Sequence, residues 1–409
     1  MTPAPSDRPL DLVVFGATSF VGQLLCAYLV ERHGSEGPVR WAMAGRNDQK
    51  LAEVAADVGA DVERIVADAS DAAAMEDLVA RTRVVVSTVG PYALYGSELV
   101  AAAAAAGTDY CDLTGEPQWM QRMIDAHQET AEASGARFVH TCGFDSIPSD
   151  LGVRFTQREA EAALGAPCRQ IAMRVKAMKG GASGGTIASM MNMMEEVSQD
   201  PALRKVLANP YALAPAGERE GVTQPNVTLP TNDEASGEWV APFVMAAVNT
   251  RVVHRTHALL GHPWGKEFLY DEAMMMGAGP LGAAKAAGLA GGVAGGMGAA
   301  AIGPVRNVLN RVLPKPGTGP SPEAQEAGFF DLRFFGETAD GQTIRTKVTG
   351  DRDPGYGSTA KMLGEAAVAL LELDRAEVRG GFHTPASALG DDLIDRLTAH
   401  AGLTFTVLT

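Results

Sequence analysis

The residues Val13-Val14-Phe15-Gly16-Ala17-Thr18-Ser19-Phe20-Val21-Gly22 have the types and spacing of a turn that holds phosphate. A short apolar run from Leu12 to Phe15 ends in Gly16, small residues follow, and a helical pattern starts at Phe20. Gly16 can adopt the backbone angles of the turn, and Gly22 lets helix and strand pack closely. The N–H groups of the first helical turn then face a pyrophosphate. The middle glycine of the G-x-x-G-x-x-G form is replaced by Ser19, a small residue that can itself donate to a phosphate. A glycine turn after a strand is also common as a plain turn, so the residues that follow must decide.

The second apolar run decides the dinucleotide. NAD-binding folds place an acid near its end to hold the ribose 2′-OH. Here Trp41-Ala42-Met43-Ala44-Gly45-Arg46-Asn47 carries no acid and presents Arg46 instead. A guanidinium there pairs with a 2′-phosphate, which favours NADP(H). The bland alternative for Arg46 is a solvated residue opening a helix. Asp68 follows the third run and either faces the adenine or caps the next helix. Val89, Gly90 and Pro91 follow the fourth run, where the nicotinamide end should lie. Tyr92 and Tyr95 are candidate proton donors there, against the reading that they only pack.

Gly143-Phe144-Asp145-Ser146-Ile147-Pro148-Ser149-Asp150 follows the sixth run and combines a glycine turn, two acids and two serines. Ser146 and Asp145 can cap a helix from Ile147, and the same loop can close over the nicotinamide. Tyr92, first, and Asp145, second, are the candidate catalytic acids. A carboxyl donor needs burial to raise its pKa. No Tyr-x-x-x-Lys pair and no Gly-x-Ser-x-Gly elbow occurs. His254, His257 and His262 lack a nearby acid or cysteine ligand, so no metal is expected.

The elements that must position these groups alternate. Strand-like and helix-like segments follow one another through six strands, from Leu12–Phe15 to Arg137–Cys142. That grammar predicts an α/β fold: an N-terminal Rossmann-type, doubly wound parallel sheet over residues 1–150, with its ligand beyond the carboxyl ends of the strands. Ser97 is read as the cap of a helix through the alanines 101–106. A second, α+β substrate domain is expected over 151–350. Its features are a strand at 168–178, the small-residue run 180–186, a methionine-rich helix, a long loop at 208–240, and a hairpin around Asp340-Gly341. A helix from Tyr356 to Leu371 and a tail, residues 351–409, are expected to return toward the first domain.

The formal charge of −15 on 409 residues, with no basic stripe, argues against nucleic acid. Four scattered cysteines fit buried thiols in a reducing compartment. The polar, proline-rich stretch Met1–Pro9 does not read as a signal peptide. Ala286 to Gly303 carries no charge and is mostly glycine and alanine. It reads as a closely packed helix, as a membrane-surface segment or, third, as a spanning helix.

Several motifs occur in an order that resembles the saccharopine dehydrogenase-like proteins, closest to the actinobacterial trans-acting enoyl reductases. They are Gly16–Gly22, Ala44-Gly45-Arg46, Thr88-Val89-Gly90-Pro91-Tyr92, Tyr110-Cys111-Asp112-Leu113-Thr114-Gly115-Glu116 and Gly143–Asp150. Ser183–Thr186, Asp353–Tyr356 and Thr384-Pro385-Ala386 agree further. The resemblance implies an NADP(H)-binding domain with Gly16–Gly22 and Arg46 at the cofactor, and NADPH-dependent reduction of an enoyl C=C bond. The implied substrate is a lipid or polyketide intermediate, free or carrier-bound, with a polyketide synthase as partner. Peripheral contact with the inner face of the plasma membrane, a cytoplasmic location and a homo-oligomer are further expectations. Two alternatives stand beside it. One is a saccharopine- or opine-type dehydrogenase reducing an imine, for which Arg154, Arg169, Arg174 and Lys176 form no clear paired cluster. The other is an NADP-binding, lipid-associated scaffold without turnover.

Overall fold

The computed structural model describes residues 7–180, 184–200, 203–301 and 319–408. Gly181, Ala182 and Ser183 of the small-residue run, and residues 302–303 of the uncharged stretch, lie outside the described residues.

The first sheet is built from β1 (Leu10–Phe15), β2 (Trp41–Gly45), β3 (Glu63–Val66), β4 (Thr82–Ser87), β5 (Asp109–Asp112) and β6 (Arg137–Val139). Every residue of β1 and β2 is buried, as expected of central strands covered on both faces. The intervening helices are α1 (Phe20–His33), α2 (Asp48–Val58), α3 (Ala72–Ala80), α4 (Tyr92–Tyr95), α5 (Ser97–Ala106) and α6 (Pro117–Ser134). Gly59, Gly107 and Gly135 end α2, α5 and α6 in the left-handed region. Ser97 does not cap α5. The turn of α4 runs directly into α5 through Gly96, and the Ser97 hydroxyl accepts the Trp119 indole N–H at 3.1 Å.

The helix α7 (Ile147–Leu164) leads out of this sheet into a second one. There follow β7 (Cys168–Lys179), α8 (Gly184–Gln199), α9 (Leu203–Ala208), β8 (Thr231–Asp233), β9 (Glu238–Pro242), α10 (Ala246–Leu259), β10 (Leu269–Gly277) and α11 (Gly279–Ala301). Next come α12 (Pro322–Glu326), β11 (Phe329–Thr338) and β12 (Thr343–Gly350). The expected long loop at 208–240 is shortened by β8 and β9, which pair around the turn before Gly237. The β11–β12 hairpin has Gly341 at φ +85°, which a residue with a side chain rarely adopts.

The chain ends with α13 (Thr359–Glu372), β13 (Gly381–His383), α14 (Pro385–Ala388), α15 (Gly390–His400) and β14 (Leu403–Leu408). The expected helix from Tyr356 is instead a π-turn over Pro354–Ser358 followed by α13. Asp353 accepts the Tyr356 N–H at 2.8 Å at its start.

The first sheet has the order β13-β6-β5-β4-β1-β2-β3, and all its described pairings are parallel. Strand order reverses between β1 and β4, which opens a crevice beyond their carboxyl ends. The second sheet, β14-β12-β11-β7-β10-β9-β8, is mixed, with only β7 and β10 parallel among its described pairings. The tail therefore enters both sheets, β13 beside β6 and β14 beside β12. One apolar core joins them, running from Val14 and Val86 through Phe144 and Leu151 to Met173 and Phe334. Gly152 of α7 meets the Phe334 ring at a distance that a Cβ would close.

Among the described residues no helix is long and apolar enough to cross a membrane. Helix α11 lies against β8, β9 and β10 at its start, and around Gly288 to Gly298 its glycines face open space.

Candidate active site

The crevice begins at the β1–α1 turn. Gly16 has φ +90°, and a Cβ there would lie 2.6 Å from Val89 Cγ2 and 2.7 Å from Thr88 Oγ1. A Cβ on Gly22 would collide with the Gly16 carbonyl oxygen. Both glycines are thus demanded by close approach. Ser19 serves the turn: its Oγ accepts the Gly22 N–H at 2.9 Å as the cap of α1, and lies 2.9 Å from Thr88 Oγ1. The Thr88 hydroxyl in turn donates to the Gly16 carbonyl at 2.9 Å. The N–H groups of Thr18, Phe20 and Val21 find no backbone acceptor among the described residues, while those of Gly16 and Ala17 bond to Ala44. A tight glycine cradle with free N–H groups at the start of a 14-residue helix fits a pyrophosphate.

At the end of β2, Arg46 is exposed. Asn47 is the cap of α2, accepting the Lys50 N–H at 2.9 Å. Asp68 does not cap α3, which Asp71 does. Its carboxylate accepts the Ser70 N–H and hydroxyl at 3.0 and 2.8 Å. Those bonds, with a smaller contribution from the Arg46 charge, hold it below the usual carboxylate range. Arg46 and Asp68 therefore share one edge of the crevice.

On the other side of β1, Val89, Gly90 and Pro91 lead into α4. A Cβ on Gly90 would sit 3.6 Å from Ser189 Oγ, so α8 of the second unit reaches this loop. Glu116 is buried and caps α4, accepting the N–H groups of Tyr92 and Ala93 at 2.8 and 2.9 Å. Burial raises its carboxyl, and Ser189 is among its hydrogen-bond partners. Glu196 fastens α8 to α6 through Gln118 at 3.0 Å and Arg122 at 3.1 Å.

Tyr92 is 3% exposed and packs on Trp119 with ring centroids 5.4 Å apart. Its hydroxyl donates to the Ser87 carbonyl at 2.9 Å, and burial pushes the phenol far up. That makes it a packing residue beneath the crevice. Tyr95 is 43% exposed on the surface.

Asp145 keeps partial exposure, and its carboxylate takes no hydrogen bond among the described residues. Burial, then the charge of Asp112, pushes its carboxyl up to about 7. Ser146 stands at the N-cap position of α7, but its side chain makes no capping bond. The Ser146 hydroxyl donates to Asn249 at 3.1 Å, and Asn249 donates onward to Ser149 at 3.1 Å and Glu272 at 2.9 Å. Asp150 accepts the Thr256 hydroxyl and, at 2.8 Å, the Ala386 N–H. The loop is thus tied to both α10 and the tail.

The π-turn closes the crevice from above. Tyr356 lies edge-on to Phe20 at 5.2 Å, and Thr359 accepts the Phe144 N–H at 3.0 Å. Beside Asp145, Phe144 meets Phe330 at 5.0 Å, and Met178 is paired with Phe330 across the strands, giving an apolar wall. Asp112, Glu116, Asn249 and Thr359 carry no role legible in the sequence. The first two stand in the Tyr110–Glu116 motif, which spans the end of β5 and the loop after it, whereas Asn249 and Thr359 are brought in only by the tertiary fold.

The basic residues weighed for an amino-acid substrate are mostly spoken for. Arg154 pairs with Asp391 at 3.0 Å, Arg174 with Asp233 at 2.7 Å and Asp271 at 2.8 Å, and Lys176 with Glu238 at 2.9 Å. Arg169 is exposed in a shallow cleft of about 490 Å³ with Trp264 and Asp340, at the start of β7. His254 packs on Tyr211 at 4.8 Å and His257 stacks on Trp264 at 4.9 Å.

The chain is 41% identical over 417 residues to a Mycobacterium tuberculosis protein named as a trans-acting enoyl reductase, covering 98% of this chain and 97% of that one. A second M. tuberculosis protein, the trans-acting enoyl reductase, is 39% identical over 409 residues, covering 96% and 97%. The chain belongs to the trans-acting enoyl reductase family. No family model matches it. Among solved structures, the fold is similar to a saccharopine dehydrogenase (L-Glu forming) from Saccharomyces cerevisiae, with a TM-score of 0.55, 12% identity and coverage of 98% and 100%. At that identity the likeness speaks for the fold and for nothing finer.

Proposed function

We propose that this protein is an NADPH-dependent reductase of an enoyl C=C bond in a lipid or polyketide intermediate. The observation that carries the activity is the end-to-end relationship to trans-acting enoyl reductases. Arg46, in place of an acid at the end of β2, supports NADPH over NADH.

In this reading the N–H groups of Thr18, Phe20 and Val21 bind the pyrophosphate, and the Arg46 guanidinium binds the 2′-phosphate. The bound cofactor, when reduced, supplies hydride. Asp145 supplies the proton to the α-carbon, so that hydride and proton together convert the C=C bond to a saturated one. It suits the task better than Tyr92, because among the described residues its carboxyl has no hydrogen-bond partner and burial pushes it up to about 7, whereas the Tyr92 hydroxyl is engaged by the Ser87 carbonyl. A substrate presented on the carrier of a separate synthase is part of this proposal.

Purified protein with NADPH and a panel of enoyl thioesters tests the reading. NADPH consumption with formation of the saturated thioester is the expected result. Consumption only with a 2-oxo acid plus lysine, and none with any enoyl thioester, would overturn it in favour of imine reduction. The engagement of Arg154, Arg174 and Lys176 with acids speaks against that outcome.

A further inference from the structure

Thr88 stands where the two halves of the crevice meet. It is buried, follows β4 directly, and precedes the Val89-Gly90-Pro91 loop. Its N–H continues the pairing with β1, bonding to the Phe15 carbonyl at 2.9 Å. Its hydroxyl reaches one residue further, to the Gly16 carbonyl at 2.9 Å, with the Phe15 carbonyl more distant at 3.3 Å. A hydroxyl has a single proton to give, so the Ser19 hydroxyl, 2.9 Å away, donates to Thr88 Oγ1. Ser19 Oγ in turn receives the Gly22 N–H at 2.9 Å. A line of donors therefore runs from Gly22 through Ser19 and Thr88, and it ends on the Gly16 carbonyl.

That carbonyl is a hazard in a cradle for an anion. Its oxygen would repel phosphate oxygens if the peptide turned outward. Two donors prevent this: the Ser19 N–H at 2.8 Å and the Thr88 hydroxyl occupy both of its lone pairs. On the same peptide the Ala17 N–H is held by the Ala44 carbonyl at 3.1 Å. The oxygen lies between Thr88 and the position a Cβ would take on Gly22, beneath the first turn of α1. Of its two donors only the Thr88 hydroxyl comes from outside the turn, so it is the one that ties the turn to β4.

We propose that Thr88 is a positioning residue for the dinucleotide. Its hydroxyl holds the Gly16 carbonyl under α1, so that the turn presents N–H groups to the pyrophosphate and keeps the carbonyl oxygen away from it. Because Val89 is the next residue and lies against Gly16, the same bond fixes the spacing between the phosphate turn and the nicotinamide loop. The inference rests on the reading of the β1–α1 turn as the pyrophosphate cradle.

Titration of the full chain with NADPH and with adenosine 2′-phosphate, which lacks the pyrophosphate, tests this. Thr88→Ala should weaken NADPH binding by about three- to tenfold, the worth of one hydrogen bond, and leave adenosine 2′-phosphate binding within about twofold. Thr88→Ser keeps the hydroxyl and should hold NADPH within about twofold of the wild type. A hydroxyl that serves only the fold would lower the melting temperature on removal and leave the ratio of the two affinities in place. An unchanged ratio in folded Thr88→Ala overturns the inference, and so does a Thr88→Ser that loses as much NADPH affinity as Thr88→Ala. Thr88→Val, which keeps the volume and lacks the hydroxyl, gives the same reading where the alanine variant does not fold. Absence of NADPH binding by the wild-type chain defeats the pyrophosphate reading and this inference with it, whereas wild-type binding that Thr88→Ala fully retains defeats the inference alone.

Discussion

Ser19 stands where a further glycine would stand in the full motif, and its hydroxyl closes the first turn of α1 instead of reaching outward. Two substitutions separate these roles. Ser19→Gly should leave NADPH affinity within about twofold and cost only a few tenths of a kcal/mol, whereas Ser19→Ala should cost about 1 kcal/mol of stability by removing the cap. Thermal unfolding and cofactor titration read both. A large loss of NADPH affinity in a folded Ser19→Gly would return the serine to the phosphate. Arg46 makes the complementary case, exposed beside Asp68 and available to a 2′-phosphate. Arg46→Ala should weaken NADPH binding by at least tenfold, about 1.4 kcal/mol, and leave NADH binding nearly unchanged. Equal losses for the two cofactors would remove Arg46 from the site.

At the scale of elements, the β1–α1 unit works because two glycines let backbone meet backbone. Gly22→Val should abolish NADPH binding, since the added Cβ would fall on the Gly16 carbonyl and push α1 off β1. Retained affinity would mean that the turn is not the pyrophosphate cradle. Local pattern made this unit legible in the sequence: an apolar strand, a glycine, then a helical period, repeated through β6. The π-turn at Pro354–Ser358 was not legible, because Asp353, Pro354 and Gly355 read equally well as the start of a plain helix. Nor were the hydroxyls of Ser97 and Ser146, which in isolation look like caps and are drawn away by Trp119 and Asn249. Tertiary partners outcompete the local bond in both cases. The strands β8 and β9 were hidden by a polar stretch whose apolar residues, Trp239 and Val240, are few.

For the molecule as a whole, the two sheets share a core, and the tail belongs to both. The acids Asp112 and Asp145 were both visible in sequence, but their relation was not, since it arises only when β5 and β6 lie side by side. Burial has a second consequence behind the Asp145 loop, where Asn249 joins Ser146 to Glu272. Glu272 is buried against Tyr270, Asn249 and Ser149, and its carboxyl is pushed up to about 7. A carboxyl raised in the folded state binds its proton more tightly there than in the unfolded chain. The stability it contributes is complete below about pH 4.5 and is lost as pH rises through about 7. Asp150, pushed up to about 6 mainly by burial, acts in the same direction. Buried His254 and His257, held neutral by lowered pKa values, act the opposite way, so the test is a difference. Relative to Glu272→Gln, the wild-type melting temperature should fall between pH 5 and pH 8, by roughly 2–4 °C per kcal/mol for a domain of 150–250 residues. A difference that stays constant over that range would show Glu272 ionised in the fold.

The central claim is that hydride and a proton add across an enoyl C=C bond in this crevice. The most direct measurement uses NADPH carrying deuterium at the transferring position and an enoyl thioester, with mass and NMR analysis of the product. One deuterium at the β-carbon of a saturated thioester, alongside oxidised NADP, is the predicted result. A product without deuterium, or label found only at the carbon of a reduced imine when 2-oxo acid and amine are supplied, would contradict it.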